Sequence, residues 1–295
     1  MRSSRIARDI GGATNVLLIV LIAVLMVSAS TVAIMLYQGG QSVEAAENVV
    51  TVGQTIKVDY IGKLLDGRVF DTSLYSVASN DAAYPKTLSF TLKANTSYVP
   101  LTFKVGAGTM ISGFETAVVG MRVGETKTVT LPPEEAYGPM DQSKLVTFQL
   151  TEAVPLVRIF NASTFKAEYG EDAASGLTVY DPVYGWAATV MEYNAWTDRV
   201  TVKNAPTLNA LYHIYGTGSV GWDVKVIGMD SNSNRITIQH QLGEGDSDRV
   251  KGLDGSSTFF IIDVDEEKGT AVRNYNSELA GKTLVFTITI VAIVE

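Results

Sequence analysis

A chain of 295 residues holds about two domains of ordinary size, and the absence of cysteine excludes disulfides and thiolate chemistry. The formal net charge of −8 becomes more acidic beyond residues 1–13, which hold three arginines and one aspartate, so there is no electrostatic footprint for nucleic acid. His213 and His240 stand far apart without metal-ligand spacing, so neither a metal nor a cofactor is expected.

Val16–Tyr37 carries no charge, and as a helix it would span ~33 Å, the thickness of a bilayer core. Arg2, Arg5 and Arg8 precede it, whereas Glu44 and Glu47 follow before the next basic residue, Lys57. The positive-inside rule therefore predicts a cytoplasmic segment at 1–13, one transmembrane helix at 14–37 and an external remainder. A cleaved signal peptide is the competing reading, but its apolar core is usually shorter. Two N-glycosylation sequons, Asn95-Thr96-Ser97 and Asn161-Ala162-Ser163, suit an external location.

Residues 38–47 read as a polar linker. Strand-like alternation begins at Thr55, and Asp66-Gly67 marks a hairpin turn between two apolar runs. Residues 74–100 show no period, and Leu101–Val105 reads as the next strand. Ile111, Phe114, Val118 and Met121 recur at helical spacing, so a short helix must lay one stripe on a sheet. Gly120 and Gly124 frame its exit, and Thr126–Leu131 follows as a half-buried strand. This predicts an apolar pocket near Met110 and Ile111.

An internal repeat lies further on. Gly185-Trp186 followed by Asp198–Val202 recurs as Gly221-Trp222 followed by Asn234–Ile238, and a weaker copy runs from Thr258 to Arg273. Each unit reads as strand, polar turn, strand, which suggests a small β-barrel or layered sheet. Trp186, Trp196 and Trp222 all lie here, among Tyr180, Tyr184, Tyr193, Tyr212 and Tyr215. These aromatics either fill hairpin cores or capture extended chains. Trp196, in a predicted turn, is the expected exposed substrate contact.

Three blocks, VDYIGKLLDGRVFDTS (58–73), GAGTMISGFETAVVGMRVGETKTVTLPPEEAYG (106–138) and KTLVFTITIVAI (282–293), resemble the FK506-binding-protein (FKBP) prolyl isomerases. The resemblance implies an α+β fold, an antiparallel sheet wrapped on a short helix, split here as 48–138 and 276–295. The intervening 139–275 resembles an enlarged insert-in-flap region of the SlyD type. It further implies a pocket lined by Tyr60, Phe70, Leu101, Met110, Ile111, Phe114, Tyr137 and Phe286, with Asp71 at its wall. Ile111 would offer its backbone N–H to the substrate carbonyl, Tyr137 its hydroxyl to the peptide, and Phe114 would form the floor, where many relatives carry tryptophan. Leu101 stands where an aromatic is often found. The expected function is cis–trans isomerisation of X-Pro bonds in unfolded or proline-containing polypeptides outside the membrane, with chaperone-like holding by the insert. The alternative is a non-catalytic, membrane-anchored holdase or adhesion scaffold on the same frame. Asp71 and Tyr137 favour the enzyme, because a buried carboxylate or phenol must be hydrogen-bonded and a pure core needs neither.

Overall fold

The computed structural model describes residues 49–294. The expected cytoplasmic segment, membrane span and linker at 1–47 lie outside the described residues. Among those described, no helix is long and apolar enough to cross a membrane.

The body is a five-stranded antiparallel sheet in which the longest strands come from opposite ends of the described chain. Strand β1 (Thr55–Leu64) is read along its whole length by the last strand, β17 (Leu284–Val294), from Thr55↔Val294 to Leu64↔Leu284. Its other edge is shared by β2 (Val69–Thr72), opposite residues 61–63, and β3 (Leu101–Lys104), opposite residues 55–58. Between these two pairings, at Asp59 and Tyr60, the chain departs on an excursion from Ser73 to Pro100. Tyr60 keeps its backbone bonds at the break, since its carbonyl accepts from Ser73 N–H (3.1 Å) and Thr72 Oγ1 (2.8 Å). The excursion includes the one-turn helix α1 (Tyr75–Ala78).

Strand β4 (Thr126–Leu131) pairs the free edge of β17, and the helix α2 (Ser112–Val118) crosses the sheet. Phe114, Ala117 and Val118 supply its buried face and pack with Ile56, Val58, Leu284, Phe286 and Ile288. The close approach of helix to strand requires Gly113, because a Cβ there would lie 2.6 Å from Leu131 Cδ2. Gly120 and Gly124 both take positive φ, as the helix exit demands.

The chain leaves this body after Gly138 and returns at Gly281 through a short neck of two chain segments. Gly281 N–H donates to the Gly138 carbonyl (2.9 Å). Asn276, buried, both accepts from Asp141 N–H (3.1 Å) and donates to the Asp141 carbonyl (3.0 Å).

Beyond the neck the chain forms three four-stranded sheets, where the repeat suggested a small barrel or a layered sheet. A nearly continuous run opens it: β5 (Leu145–Gln149), β6 (Thr151–Pro155) and β7 (Val157–Phe160), then the helix α3 (Ala162–Tyr169). Three meanders follow. The first is β8 (Thr178–Tyr180), β9 (Ala187–Asn194) and β10 (Arg199–Asn204). The second is β11 (Leu211–Ile214), β12 (Trp222–Asp230) and β13 (Arg235–His240). The third is β14 (Val250–Asp254), β15 (Ser257–Asp265) and β16 (Thr270–Asn274).

Each meander takes its fourth strand from the opening run in reverse order: β7 joins the first, β6 the second and β5 the third. The single residues between those strands make the hand-over. Leu150 donates its N–H to Gly269 in the third unit, and its carbonyl accepts from His240 in the second. Leu156 repeats the pattern with Asn234 and Asn204. Equivalent hairpin turns carry Asp198, Asn234 and Gly269 at positive φ, all residue types that tolerate the left-handed region.

Trp186 and Trp222 are buried, so they fill cores. Trp222 is part of an aromatic box that surrounds the Arg273 guanidinium, which lies 4.4 Å from the Tyr215 ring centre and 4.5 Å from that of Phe148. The first unit has its own core, built on Phe165 with Val179, Ala188, Val190, Val200 and Val202, whereas the second and third share one that also takes Trp186 from the first. Phe165→Ala is therefore expected to cost about 3–5 kcal/mol. Hydrogen exchange should show the loss in β8–β10 and leave the β1–β17 ladder protected. Uniform loss of protection along the chain would instead mean one cooperative unit.

Candidate functional site

The break in the pairing of β1 decides where the site forms. Tyr60 lies on the strand between β2 and β3, and its phenol points over α2 toward Asp71 at the end of β2. Its hydroxyl donates to Asp71 Oδ2 at 2.6 Å, while Asp71 Oδ1 accepts from Thr72 N–H at 3.0 Å. Both carboxylate oxygens are thus held, and the side chain has a fixed direction.

Below this polar wall lies a floor of aromatic rings. Phe114, buried on α2, meets Tyr60 edge-on at 5.9 Å and Phe286 of β17 at 5.1 Å. Phe70 meets Phe286 edge-on at 5.4 Å. Such edge-to-face contacts fix the rings more narrowly than apolar burial alone. The cluster closes over Gly62, where a Cβ would lie 2.5 Å from Phe70 Cζ and 3.0 Å from Phe286 Cε1.

The opposite rim is the loop before α2. Glu115, in the first turn of that helix, accepts from Gly106 N–H (2.8 Å) and Gly108 N–H (3.2 Å). That carboxylate fixes the loop carrying Thr109, Met110 and Ile111. No side chain caps the helix at Ile111, so its start is open toward the pocket.

The result is a cavity of about 290 Å³ lined by Tyr60, Phe70, Asp71, Leu101, Met110, Ile111, Phe114, Tyr137 and Phe286, together with Thr109. The sequence singled out the first nine of these, and the fold brings them to one place. Trp196 is not among them: it stands fully exposed in the turn between β9 and β10. Thr109, Glu115 and Gly62 escaped the sequence reading. A clue to Glu115 was available, since a carboxylate shortly after GAGT can collect loose glycine amides, whereas the role of Gly62 needs the rings in place.

The site is electrostatically quiet. Burial, then the hydrogen bond to Asp71, then the charge of Asp71 hold the Tyr60 phenol well above its ordinary range. Tyr137, half-exposed, is raised by burial and by Asp71 in the same way. Both phenols are therefore neutral donors at physiological pH. Among the described residues no group of histidine and carboxylate side chains could hold a metal. The arrangement can bind a compact apolar ring, orient a carbonyl by hydrogen bonds and exclude water.

Residues 47–151 match the model of the FKBP-type peptidyl-prolyl cis-trans isomerase family. A short-type peptidyl-prolyl cis-trans isomerase of Methanocaldococcus jannaschii is 47% identical over 96 residues, 32% of this chain and 55% of that protein. An FK506-binding protein 2 of Yarrowia lipolytica is 32% identical over 94 residues, 32% of this chain and 51% of that protein. The crystal structure of AtFKBP13 aligns over 31% of this chain and 61% of its own, at 31% identity and a TM-score of 0.22. The chain thus spans about half the length of the first two relatives. The matched residues hold β1 to β4 and α2 of the body, whereas β17 lies outside the match.

The raised phenols set a pH dependence. The folded state holds these protons more tightly than the unfolded chain does. The stability this contributes is complete below the free-tyrosine value of 10.0 and is lost as pH rises above it toward the folded values. In Asp71→Asn the carboxylate charge is gone, so the Tyr137 phenol should titrate at lower pH. NMR of ring-labelled tyrosine reads this directly, and an unchanged Tyr137 titration would remove Asp71 as its neighbour in solution.

Proposed function

We propose that this chain is a peptidyl-prolyl cis-trans isomerase whose reaction takes place in the Tyr60–Phe114–Phe286 pocket. The observation that carries the reading is a buried aromatic floor with one oriented polar wall, Asp71 and two neutral phenols. That is the chemistry this rotation needs. The barrier of ~18–20 kcal/mol arises because the amide loses conjugation as it twists. The planar amide is the more dipolar form, so an apolar pocket around the prolyl ring favours the twisted one. Ile111 and Tyr137 both line the pocket, and the Ile111 N–H and the Tyr137 hydroxyl would hold peptide carbonyls. Asp71 keeps Tyr60 oriented, so the ring surface stays in register.

The remaining parts of the reading concern context. The insert beyond Gly138 resembles the insert-in-flap of SlyD-type isomerases, enlarged by repetition, and would hold unfolded polypeptide near the pocket by tethering. The exposed Trp196 and the apolar residues on edge strands, such as Tyr180 and Leu211, support that role. Residues 14–37 would anchor the protein in a membrane with the isomerase outside the cytoplasm, which the arginines of residues 1–13 support through the positive-inside rule.

The test is isomerisation by the full chain of a proline tetrapeptide and of a protein whose refolding is limited by proline. Asp71→Ala is expected to lower kcat/KM by about tenfold to a hundredfold, as loss of a charged hydrogen-bond partner does. Tyr137→Phe should cost less, because its hydroxyl is half in solvent. Acceleration of neither substrate by a folded wild-type chain would overturn the catalytic reading and leave a binding scaffold.

A further inference from the structure

The prolyl pocket does not end at Tyr137. Phe70, Asp71 and Tyr137 form one of its walls, and the same three residues are a wall of a second cavity of about 250 Å³ on their other side. Ser89, Phe90, Thr91, Lys93, Tyr98 and Leu279 complete that cavity. Ser89, at its edge, also lines a third, a cleft of about 430 Å³ between the body and the third repeat unit, with Lys251, Thr258, Phe260 and Tyr275 on the far side. Shared residues thus link three hollows into one path, from the aromatic floor to the insert.

The loop that forms the middle of this path is built to stay in place. Glu278, buried in the turn before β17, accepts from Leu88 N–H (2.9 Å) and Ser89 N–H (2.6 Å). Lys251 of the insert donates to the Leu88 carbonyl (2.7 Å). The Tyr98 hydroxyl accepts from Lys93 N–H (3.0 Å), and the Tyr98 ring packs on Tyr75 at 5.6 Å. The Phe90 ring lies under the Lys86 ammonium at 5.4 Å. A non-periodic stretch would ordinarily be mobile surface. Here it is fastened to both body and insert, so its cavity is already shaped before anything binds, which lowers the ordering entropy on association.

We propose that the Phe90–Tyr98 cavity is a second substrate site, which takes a bulky apolar side chain of the polypeptide a few residues from the proline and directs the chain onward into the cleft beside Thr258 and Phe260. The occupant is an extended polypeptide because the cavity continues directly from a pocket shaped for a prolyl ring, and only a chain can fill both at once. This rests on the isomerase reading of the first pocket. The second site sets sequence preference by its aromatic and aliphatic walls, and the cleft passes the chain to the insert.

The experiment measures both binding, by fluorescence anisotropy, and isomerisation on the full chain. One peptide carries proline with a single alanine on either side. The other is extended on both sides with leucine and phenylalanine. The longer peptide is expected to bind about tenfold more tightly, the gain from burying one large apolar side chain. Phe90→Ala should abolish that gain and leave the short peptide unchanged in binding and turnover. Thr258→Trp, which fills the cleft from an exposed position, should weaken only the longer peptide. Equal affinity for the two peptides, or an equal loss on both in Phe90→Ala, would overturn the second site. Should the longer peptide bind in a Phe90-dependent way without turnover of either, the second site stands and the isomerase reading fails.

Discussion

Everything in the body hangs on the ladder between β1 and β17. It joins residues 55–64 to 284–294, and β2, β3 and β4 are all attached to one or other of these two strands. It also carries two of the pocket's rings, Tyr60 on one strand and Phe286 on the other. Closing so long an interval is less costly than it looks, because loop-closure entropy grows only logarithmically and each doubling adds about 0.6 kcal/mol. The neck reduces that burden further: Asn276 and Asp141 bring the ends of the insert together, so the ladder does not close a free coil. A large insert can thus grow between β4 and β17 while the pocket keeps its geometry.

The insert solves a different problem. Each meander has only three strands and a small apolar surface to bury. The run of β5, β6 and β7 supplies every one with a further strand and ties the units together. Leu150 and Leu156 are its pivots, buried and bonded to one unit through N–H and to the next through the carbonyl. The reverse order follows from the path: the chain travels outward along this run and returns unit by unit, so the strand nearest the neck meets the unit nearest the neck. The third unit therefore faces the body, where Lys251 reaches Leu88 and Asp248 accepts from Lys282 at 2.7 Å.

Local features of this design were legible in the sequence. The Asp66-Gly67 turn, the strand Thr126–Leu131 and the positive-φ glycines after α2 follow from residue type and spacing alone. The repeat was legible too, because its polar turns end in Asp198, Asn234 and Gly269, residues that accept the left-handed conformation. The pocket residues were found through a family pattern, and nine of the ten lining residues came from it. Trp196, chosen as a binding residue for its turn position, is exposed as expected yet remote from that cavity's lining. The buried Trp186 and Trp222 show the limit of composition: an aromatic in a strand reads the same whether it fills a core or awaits a ligand.

The amino-acid order by itself determined the Asp66-Gly67 turn, strands such as Thr126–Leu131, the helix that floors the pocket, and the repetition of the insert, since each depends on neighbours close in sequence. Tertiary structure alone decided which strands meet. Nothing in Leu145–Phe160 announces that it will be divided among three sheets, because strand pairing is chosen by edges that become available only after the meanders form. In the same way, Gly62 acquires its purpose from Phe70 and Phe286, and the stretch from Leu88 to Tyr98 acquires its shape from Glu278 and Lys251, far along the chain. Those contacts carry no local signal. They arise where long-range closure brings backbone amides to a buried carboxylate, and that closure turns a stretch without periodicity into the wall of a cavity.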